Sequence, residues 1–512
     1  MKYYLLILAL CFGSFGIGQN NLISTHAYYR DQLLNSNHPN TCIGNGFLPV
    51  LESEYNPPNS IPDSTVRYSA RTMAFLKKHM VELKGKDYFL TISALGQFSF
   101  GRDYRDTSKA NLFQNTRGIL IEGDLFKNFS FSTSFFENQS RFSDFESQFV
   151  KNNGEFYTIS NNYVQQNGVV PGSARTKPFK TNAFDYSYAV GSIIYKPIKQ
   201  VAVIAGNNQQ FVGSGYRSIL LSDNSCGSPY LRVDYKVNSK WTINFLRTRH
   251  MNLVRKKTYN TVEGYYQPKG FSANYISYQL SKQSSISFFE GSIWSMGDSL
   301  VTKSLNPLYF IPVPGISALY SKNTYTIYGL NFSQILFNKL LIYSQFATGS
   351  GGKNQFASQV GLRYFNPWKY LKTMIQAEFN MATQNMYTDS YARLNYSNYN
   401  LPLAHITGTG FKELLVRFNT QLQHYYIDMK SSTYFLKNYN NDALLPVRLI
   451  SQERNGMVLN NQLEVGFRFN TKLNVNIFGN MIWRSEMLDV IKSNLIFQAG
   501  IRTGLMSHYN DY

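Results

Sequence analysis

The chain has 512 residues, with 50 Lys and Arg against 30 Asp and Glu, and a formal net charge of +20. Three cysteines are too few for a disulfide scaffold, and no stretch after the N-terminus has the ~18 consecutive apolar residues of a membrane helix. Length alone allows two or three soluble domains, but 38 Tyr and 38 Phe suit another class of protein.

The chain opens MKYYLLILALCFGSFGIGQ. One lysine, an apolar run from Tyr3 to about Ile17 and small residues at Gly16 and Gly18 make residues 1–18 a secretory signal peptide. A lipoprotein start at Cys11 is the competing reading, and the bulky Leu10 before it weighs against it. Cleavage leaves Cys42 and Cys226. In an exported chain the positive charge points to acidic lipid or polysaccharide, not to nucleic acid.

Residues 19–87 lack strand rhythm. Asn56-Pro57-Pro58-Asn59 and Ile61-Pro62 interrupt them, and Pro39 and Pro49 flank the Cys42 region. Residues 69–83 suit a short helix, with Met73, Leu76, Met80 and Leu83 on one stripe. The segment reads as a small periplasmic lead-in or plug, the alternative being a partly ordered arm.

From Tyr88 the period becomes two, and residues 88–512 read as a barrel. Leu463, Val465, Phe467 and Phe469 alternate with Gln462, Glu464, Gly466 and Arg468, and Ile375, Ala377, Phe379 and Met381 interleave with Gln376, Glu378 and Asn380. An apolar face opposite a polar one is what lipid outside and water inside demand of a barrel wall. A soluble sandwich gives the same alternation with the faces reversed; the length of the runs and the aromatic load favour the membrane.

About 18 antiparallel strands are expected, starting near 88, 115, 128, 184, 199, 229, 240, 269, 284, 323, 338, 354, 369, 410, 425, 459, 471 and 494. Tight turns at Leu125-Phe126-Lys127, Lys196-Pro197-Ile198-Lys199, Val237-Asn238-Ser239-Lys240, Ser281-Lys282-Gln283 and Asn470-Thr471-Lys472 alternate with long connections near 138–183, 207–228, 248–268, 295–322, 382–409 and 436–458. Short periplasmic turns and long outer loops are the rule for such barrels, and an even count leaves both termini periplasmic. Residues 88–100 are then expected to pair with 494–506, and Tyr512 to end the chain on the aromatic common in barrel-assembly signals. Asn260 and Asn398 should be reachable from outside, unlike Asn238 and Asn470.

The stretch 203–232, VIAGNNQQFVGSGYRSILLSDNSCGSPYLR, is neither alternating nor low in complexity. Gly213 and Gly215 permit backbone angles closed to other residues, and Tyr216, Arg217 and Ser218 follow at once. Asp223 and Asn224 favour turns. Such a segment is expected to fold inward as a ligand or lumen loop, with Arg217 locked to Asp223 and lumen carboxylates. Its glycines resemble a phosphate cradle, but no Gly-Lys-Ser/Thr and no helix start follow. Cys226 lies toward the outside and Cys42 on the periplasmic side, so the two are not expected to be joined.

The seven histidines, at 26, 38, 79, 250, 405, 424 and 508, share no metal-ligand spacing. Glu137 and Glu290, at the ends of aromatic strands, suit polar struts in the lumen better than a hydrolase pair. Arg247, Arg249, His250, Arg255, Lys256 and Lys257 form a basic run between the seventh and eighth strands, expected to meet acidic surface glycan or anionic lipid headgroups. No enzyme, no cofactor and no metal site is indicated.

The segments Phe135-Phe136-Glu137-Asn138-Gln139, Phe211-Val212-Gly213-Ser214-Gly215-Tyr216-Arg217-Ser218, Leu220-Leu221-Ser222-Asp223-Asn224 and Pro229-Tyr230-Leu231 resemble the Wzi-like outer-membrane family, as do Asp185-Tyr186, Phe289-Glu290, Leu305-Asn306-Pro307 and Pro402-Leu403-Ala404-His405. The likeness spans nearly the whole mature chain and is strongest to the Bacteroidetes branch of RemB-type gliding motility proteins. Ser214 stands where the family pattern has an acidic residue, and Cys226 interrupts the stretch before Pro229. The resemblance implies an 18-strand barrel with a short helical periplasmic lead-in, and a role in capsule assembly or surface motility. The expectation is a non-enzymatic outer-membrane β-barrel for polysaccharide attachment or gliding, with outer-membrane lipid, acidic surface polysaccharide and gliding or surface-assembly proteins as partners. The alternatives are a passive porin and a soluble exported adhesin of sandwich type.

Overall fold

A computed structural model describes residues 21–35, 45–54, 79–106, 110–126, 128–180, 182–255, 266–298, 301–302, 311, 313–315, 323–368, 370–447, 453–470, 473–504 and 509–512. The signal peptide, Cys42, Lys256, Lys257, Asn260 and residues 305–307 lie outside these, as do most of the expected helix at 69–83, His38 and His508.

Among the described residues, eighteen alternating segments form a closed antiparallel barrel. In chain order they are β1 (Tyr88–Asp103), β2 (Asn111–Leu125), β3 (Phe129–Arg141), β4 (Ala183–Ile198), β5 (Val201–Asn208), β6 (Ser228–Lys236), β7 (Trp241–Arg255), β8 (Tyr266–Ser281) and β9 (Ser284–Ser295). The second half is β10 (Thr324–Leu336), β11 (Leu340–Gly349), β12 (Phe356–Phe365), β13 (Lys372–Ala382), β14 (Phe411–Leu422), β15 (Tyr425–Tyr439), β16 (Arg454–Asn470), β17 (Val475–Met487) and β18 (Ile491–Arg502). The largest offset from expectation is at β16, expected near 459 and beginning at Arg454. The expected tight turns all fall at one end of the barrel and the long connections at the other.

The two faces sort as the alternation requires. Gln376, Glu378 and Asn380 on β13 are buried inward, while Phe379 between them is 39% exposed on the outside. Val465, Ile477 and Trp483 are exposed likewise, with Glu464, Asn476 and Phe478 buried beside them. Exposed rings at Tyr88, Tyr235, Trp241, Tyr364 and Tyr425 girdle the short-turn end, as expected where a barrel wall leaves lipid.

β18 is shorter than its partner. It pairs residues 496–502 with 97–103 of β1, a shorter seam than the expected 88–100 against 494–506. The uncovered lower edge of β1 is taken by Val81–Lys84, which pair with residues 89–92. Residues 81–83 are therefore strand where a helix was expected. An open strand edge cannot be left in lipid, and that requirement overrides a local helical stripe.

The lumen is filled. Helix α1 (Ala27–Asn35) sends Arg30 to the Tyr216 carbonyl (3.3 Å) and the Tyr509 hydroxyl (3.1 Å). Asp31 of α1 meets Arg363 of β12 at 2.7 Å and Arg417 of β14 at 3.1 Å. Phe47 and Leu48 pair with Phe211 and Val212, and Arg232 of β6 holds the Pro49 carbonyl at 2.9 Å. Of the segment read as a periplasmic lead-in or plug, residues 21–35 and 45–54 are thus packed inside the barrel. Phe47, Leu51, Ile219, Leu220 and Leu221 join wall residues such as Phe271, Tyr275 and Tyr325 in one apolar core, which water cannot share.

One polar patch of the outer wall is buried. Asn274, Glu290, Ser292 and Thr326 occupy outward positions on β8–β10, yet all are buried. Part of their cover comes from the β9–β10 connection: Gly315 donates its N–H to Glu290 at 2.9 Å, and Arg247 reaches the Ile311 carbonyl at 3.2 Å. Ile311 and Val313 are exposed in turn, so a strap restores the apolar surface that lipid requires.

Candidate functional site

The loop between β5 and β6 builds the floor. Gly213 has φ +116°, and a Cβ there would stand 2.1 Å from Gln345 Nε2. At Gly215 a Cβ would stand 2.7 Å from Glu378 Oε2 and 2.5 Å from the Arg217 carbonyl, so only glycine brings this backbone against the wall. Glu378 accepts the N–H groups of Tyr216 (2.8 Å) and Arg217 (3.1 Å), and Gln359 donates to the Arg217 carbonyl at 2.9 Å. Ser218 donates to the Val212 carbonyl at 2.6 Å, and Asn224 to the Ala404 carbonyl. The β13–β14 connection folds in over it: Tyr387 and Tyr396 hydroxyls donate to the Ile219 and Leu220 carbonyls at 2.7 and 2.9 Å.

Arg217 lies within 3.2 Å of Glu413 and 2.9 Å of Asp511, and donates to the Tyr434 hydroxyl at 2.7 Å. Lys430 shares Asp511 at 2.8 Å. Burial would raise the Asp511 carboxyl, but the Arg217 and Lys430 charges outweigh it and hold it well below the usual range. His405 accepts the Thr407 N–H at Nδ1 (3.2 Å), which places its proton on Nε2, and donates from there to Glu413 at 2.7 Å; burial, opposed by Glu413, lowers its pKa. Residues 509–512 are therefore not part of the last strand. β18 ends at Arg502, and the chain re-enters the lumen, where the Tyr509 hydroxyl donates to Asp223 at 2.7 Å. Asp223 is thus not the partner of Arg217.

Above this floor, at the long-loop end, lies a cavity of about 970 Å³. One wall is helix α2 (Asp144–Asn152), whose Glu146 accepts both the backbone N–H and the hydroxyl of Ser143 in a capping box. Phe145 and Phe149, four apart, share a face of α2. Phe149 stacks on Tyr512 at 3.8 Å, and the Arg484 guanidinium of β17 lies 4.5 Å over Phe145. Arg105, Arg141, Lys151, Arg454, Arg484 and Lys492 line this vestibule against Asp106, Asp144 and Glu486. Asn152, Asn153, Asn182, Asn400, Asn440, Asn441 and Asn494 supply amides. Rings, amides and an excess of positive charge around open space suit a polar, ring-shaped, anionic ligand.

The residues singled out in the sequence fall elsewhere. Gly213, Gly215, Tyr216, Arg217, Ser218, Asp223 and Asn224 converge on the floor and are all buried, but none lines the vestibule. The space beside Gly213 and Gly215 is about 10 Å³, room for about one water. Glu137 and Glu290 are not lumen carboxylates: both occupy outward positions, Glu137 exposed opposite Arg117 and Ser187, Glu290 under the strap. The carboxylates that do face inward include Glu378 and Glu413.

The basic run is not a loop either. Arg247, Arg249, His250 and Arg255 belong to β7, because the barrel ladder continues through them. His250 faces inward, bonded to Ser228 at 3.1 Å and stacked on Phe271, and burial drives Arg255 to pair with Glu155 at 2.9 Å. Arg249 alone of these four is exposed. Asn398, expected on the surface, is fully buried and donates to the Cys226 carbonyl at 2.9 Å. Among the described residues Cys226 has no disulfide partner, and burial pushes its thiol pKa up.

Reasoning from sequence missed α2, Arg484 and Tyr512. Ser143-Asp144-Phe145-Glu146 is a capping-box pattern inside a long loop, and that signal was there to find.

No protein-family model and no curated protein matches this chain. Among solved structures it is similar to Wzi of Escherichia coli, an outer-membrane protein involved in group 1 capsule assembly and a carbohydrate-binding β-barrel. The TM-score is 0.56 at 11% identity, over 94% of this chain and 99% of that one. Acinetobacter baumannii OccAB4 (TM-score 0.43, 8% identity, 82% and 98% covered) and Pseudomonas aeruginosa OprD (0.42, 8%, 80% and 94%) also match. At such identity the likeness to Wzi is one of fold, that of an outer-membrane barrel.

Proposed function

We propose that this protein is a non-enzymatic outer-membrane barrel that holds acidic polysaccharide at the cell surface. The observation that carries the reading is the pairing of a filled lumen with an open, ring- and amide-lined vestibule at the long-loop end. A channel needs a continuous aqueous path, and the packed floor of the β5–β6 loop, residues 21–35, 45–54 and 509–512 argues against a passive porin. In this reading the short-turn end is periplasmic, the vestibule faces out, and the exterior is bathed in lipid. The carbohydrate binding of Wzi lends the fold a precedent, and the RemB-type resemblance adds surface motility as a process in which retained glycan would matter.

Two measurements test it. Purified protein in neutral detergent should bind acidic surface polysaccharide, with affinity falling steeply in salt because exposed charges are screened beyond about 8 Å at physiological ionic strength. The variant with Lys151, Arg454 and Lys492 changed to Gln should bind more weakly. In planar bilayers the wild-type conductance should stay near the baseline. Porin-like conductance without glycan binding would overturn the reading.

A further inference from the structure

The six cations of the vestibule are not equivalent. Arg105 donates to Ser493 at 2.5 Å, Arg141 is half-buried beside the Phe113 ring, and Lys151, Arg454 and Lys492 are exposed to water. Arg484 is 5% exposed, and its Nε and Nη1 donate to no group among the described residues. Its nearest carboxylate, Glu486, stands 3.8 Å away, beyond hydrogen-bond reach. The guanidinium is fixed from below by the Phe145 face. A buried charge without a close counter-ion is costly unless something completes it. Beside it the Phe149 and Tyr512 rings stack on each other and also line the cavity, a wall against which a sugar ring can pack.

We infer that Arg484 is the anchor for the carboxylate of a uronic-acid-type sugar residue, with Phe145, Phe149 and Tyr512 forming the apolar side of that subsite. The inference rests on the proposed glycan-holding role and adds its chemical selectivity: the vestibule takes a carboxylated sugar, not any acidic polymer. A planar guanidinium matches a planar carboxylate, and the pair forms the strong class of charge-assisted bond. The exposed lysines contribute general attraction but no selectivity. Asp511 stands just below, already bound to Arg217 and Lys430, so those two cations are taken and Arg484 is the buried one left for a ligand.

The test uses the full chain in neutral detergent, with hexagalacturonate and maltohexaose as carboxylated and neutral probes of equal length. Wild type should bind hexagalacturonate in preference. Arg484→Gln should weaken that binding by about tenfold or more while leaving maltohexaose binding unchanged, and Arg484→Lys should restore it in part. Unaltered heat-modifiability on gels would show that both variants are assembled. Equal hexagalacturonate affinity for wild type and Arg484→Gln would overturn the inference and leave the glycan-holding role standing. Displacement of the oligomer by inorganic phosphate as effectively as by free galacturonate would overturn the carboxylate assignment. A wild-type protein that binds neither oligomer nor native surface polysaccharide would sink the broader role with it.

Discussion

Arg217 in the floor and Arg484 in the vestibule are both buried arginines of the same lumen, and their surroundings are opposite. Arg217 has Glu413 and Asp511 within 3.2 Å and a tyrosine hydroxyl at 2.7 Å. Arg484 has an aromatic face and one carboxylate at 3.8 Å. A paired buried charge holds structure in place, and removing one partner is strongly destabilising. A buried charge left short of partners contributes little to the fold, and its retention calls for a ligand. Burial alone does not separate the two; the inventory of partners does.

The comparison is easiest to break at Arg217. Arg217→Ala leaves Asp511 with Lys430 alone and Glu413 with only His405 and Asn380, and should cost roughly 3–5 kcal/mol. Planar bilayers should then show larger or noisier conductance, and the barrel should lose its heat-resistant mobility at lower temperature. Unchanged conductance together with unchanged mobility would mean that the floor is held by something else.

Acid should act on the same lock more gently. Because the Asp511 pKa is depressed in the folded protein, its contribution is fully present above the unfolded value of about 3.9. It is lost as pH falls below that toward the depressed folded value. Conductance noise should therefore rise only in acid, and Asp511→Asn should show it already at neutral pH. A wild-type onset near pH 6–7 would implicate a histidine instead of this carboxylate.

Gly215→Ala comes next. Its Cβ must displace Glu378 or the Arg217 carbonyl, an overpacking cost of about 1–3 kcal/mol. Faster hydrogen exchange at the Tyr216 and Arg217 amides would register it, and protection equal to wild type would deny the close approach. The smallest effect belongs to the vestibule: Arg484→Gln should change stability by less than about 1 kcal/mol. A loss as large as that of Arg217→Ala, read as the temperature at which the barrel loses its folded mobility, would erase the contrast between the two arginines.

The wall of this barrel was open to reading because one rule, apolar out and polar in, repeats at every strand. The floor was half legible. Gly213 and Gly215 announced a special backbone, but Glu378, Glu413 and Asp511 lie more than 160 residues away in sequence, and no local pattern links them to Arg217. Glu290 was misplaced because an outward acid looks impossible until the strap is seen. The run from Arg247 to Arg255 was misplaced because a cluster of like charges suggests water, whereas here each inward or covered member finds its own partner along β7. Arg484, on a regular strand, carried no sequence mark at all, since what distinguishes it is a partner that is absent.

The seam described above also bears on the order of assembly. β1 and β18 meet over seven residues, where β1 and β2 meet over fifteen. This seam joins the first barrel strand to the last, so it is the natural last one to close. Residues 21–35 and 45–54 precede it in the chain, residues 509–512 follow it, and all lie inside. Arg30 joins the two directly through the Tyr509 hydroxyl. Threading either segment into a finished cylinder would mean passing it through a packed floor, so the interior must be gathered before the cylinder closes. The join that closes the wall is thus braced from within by the chain on its two sides.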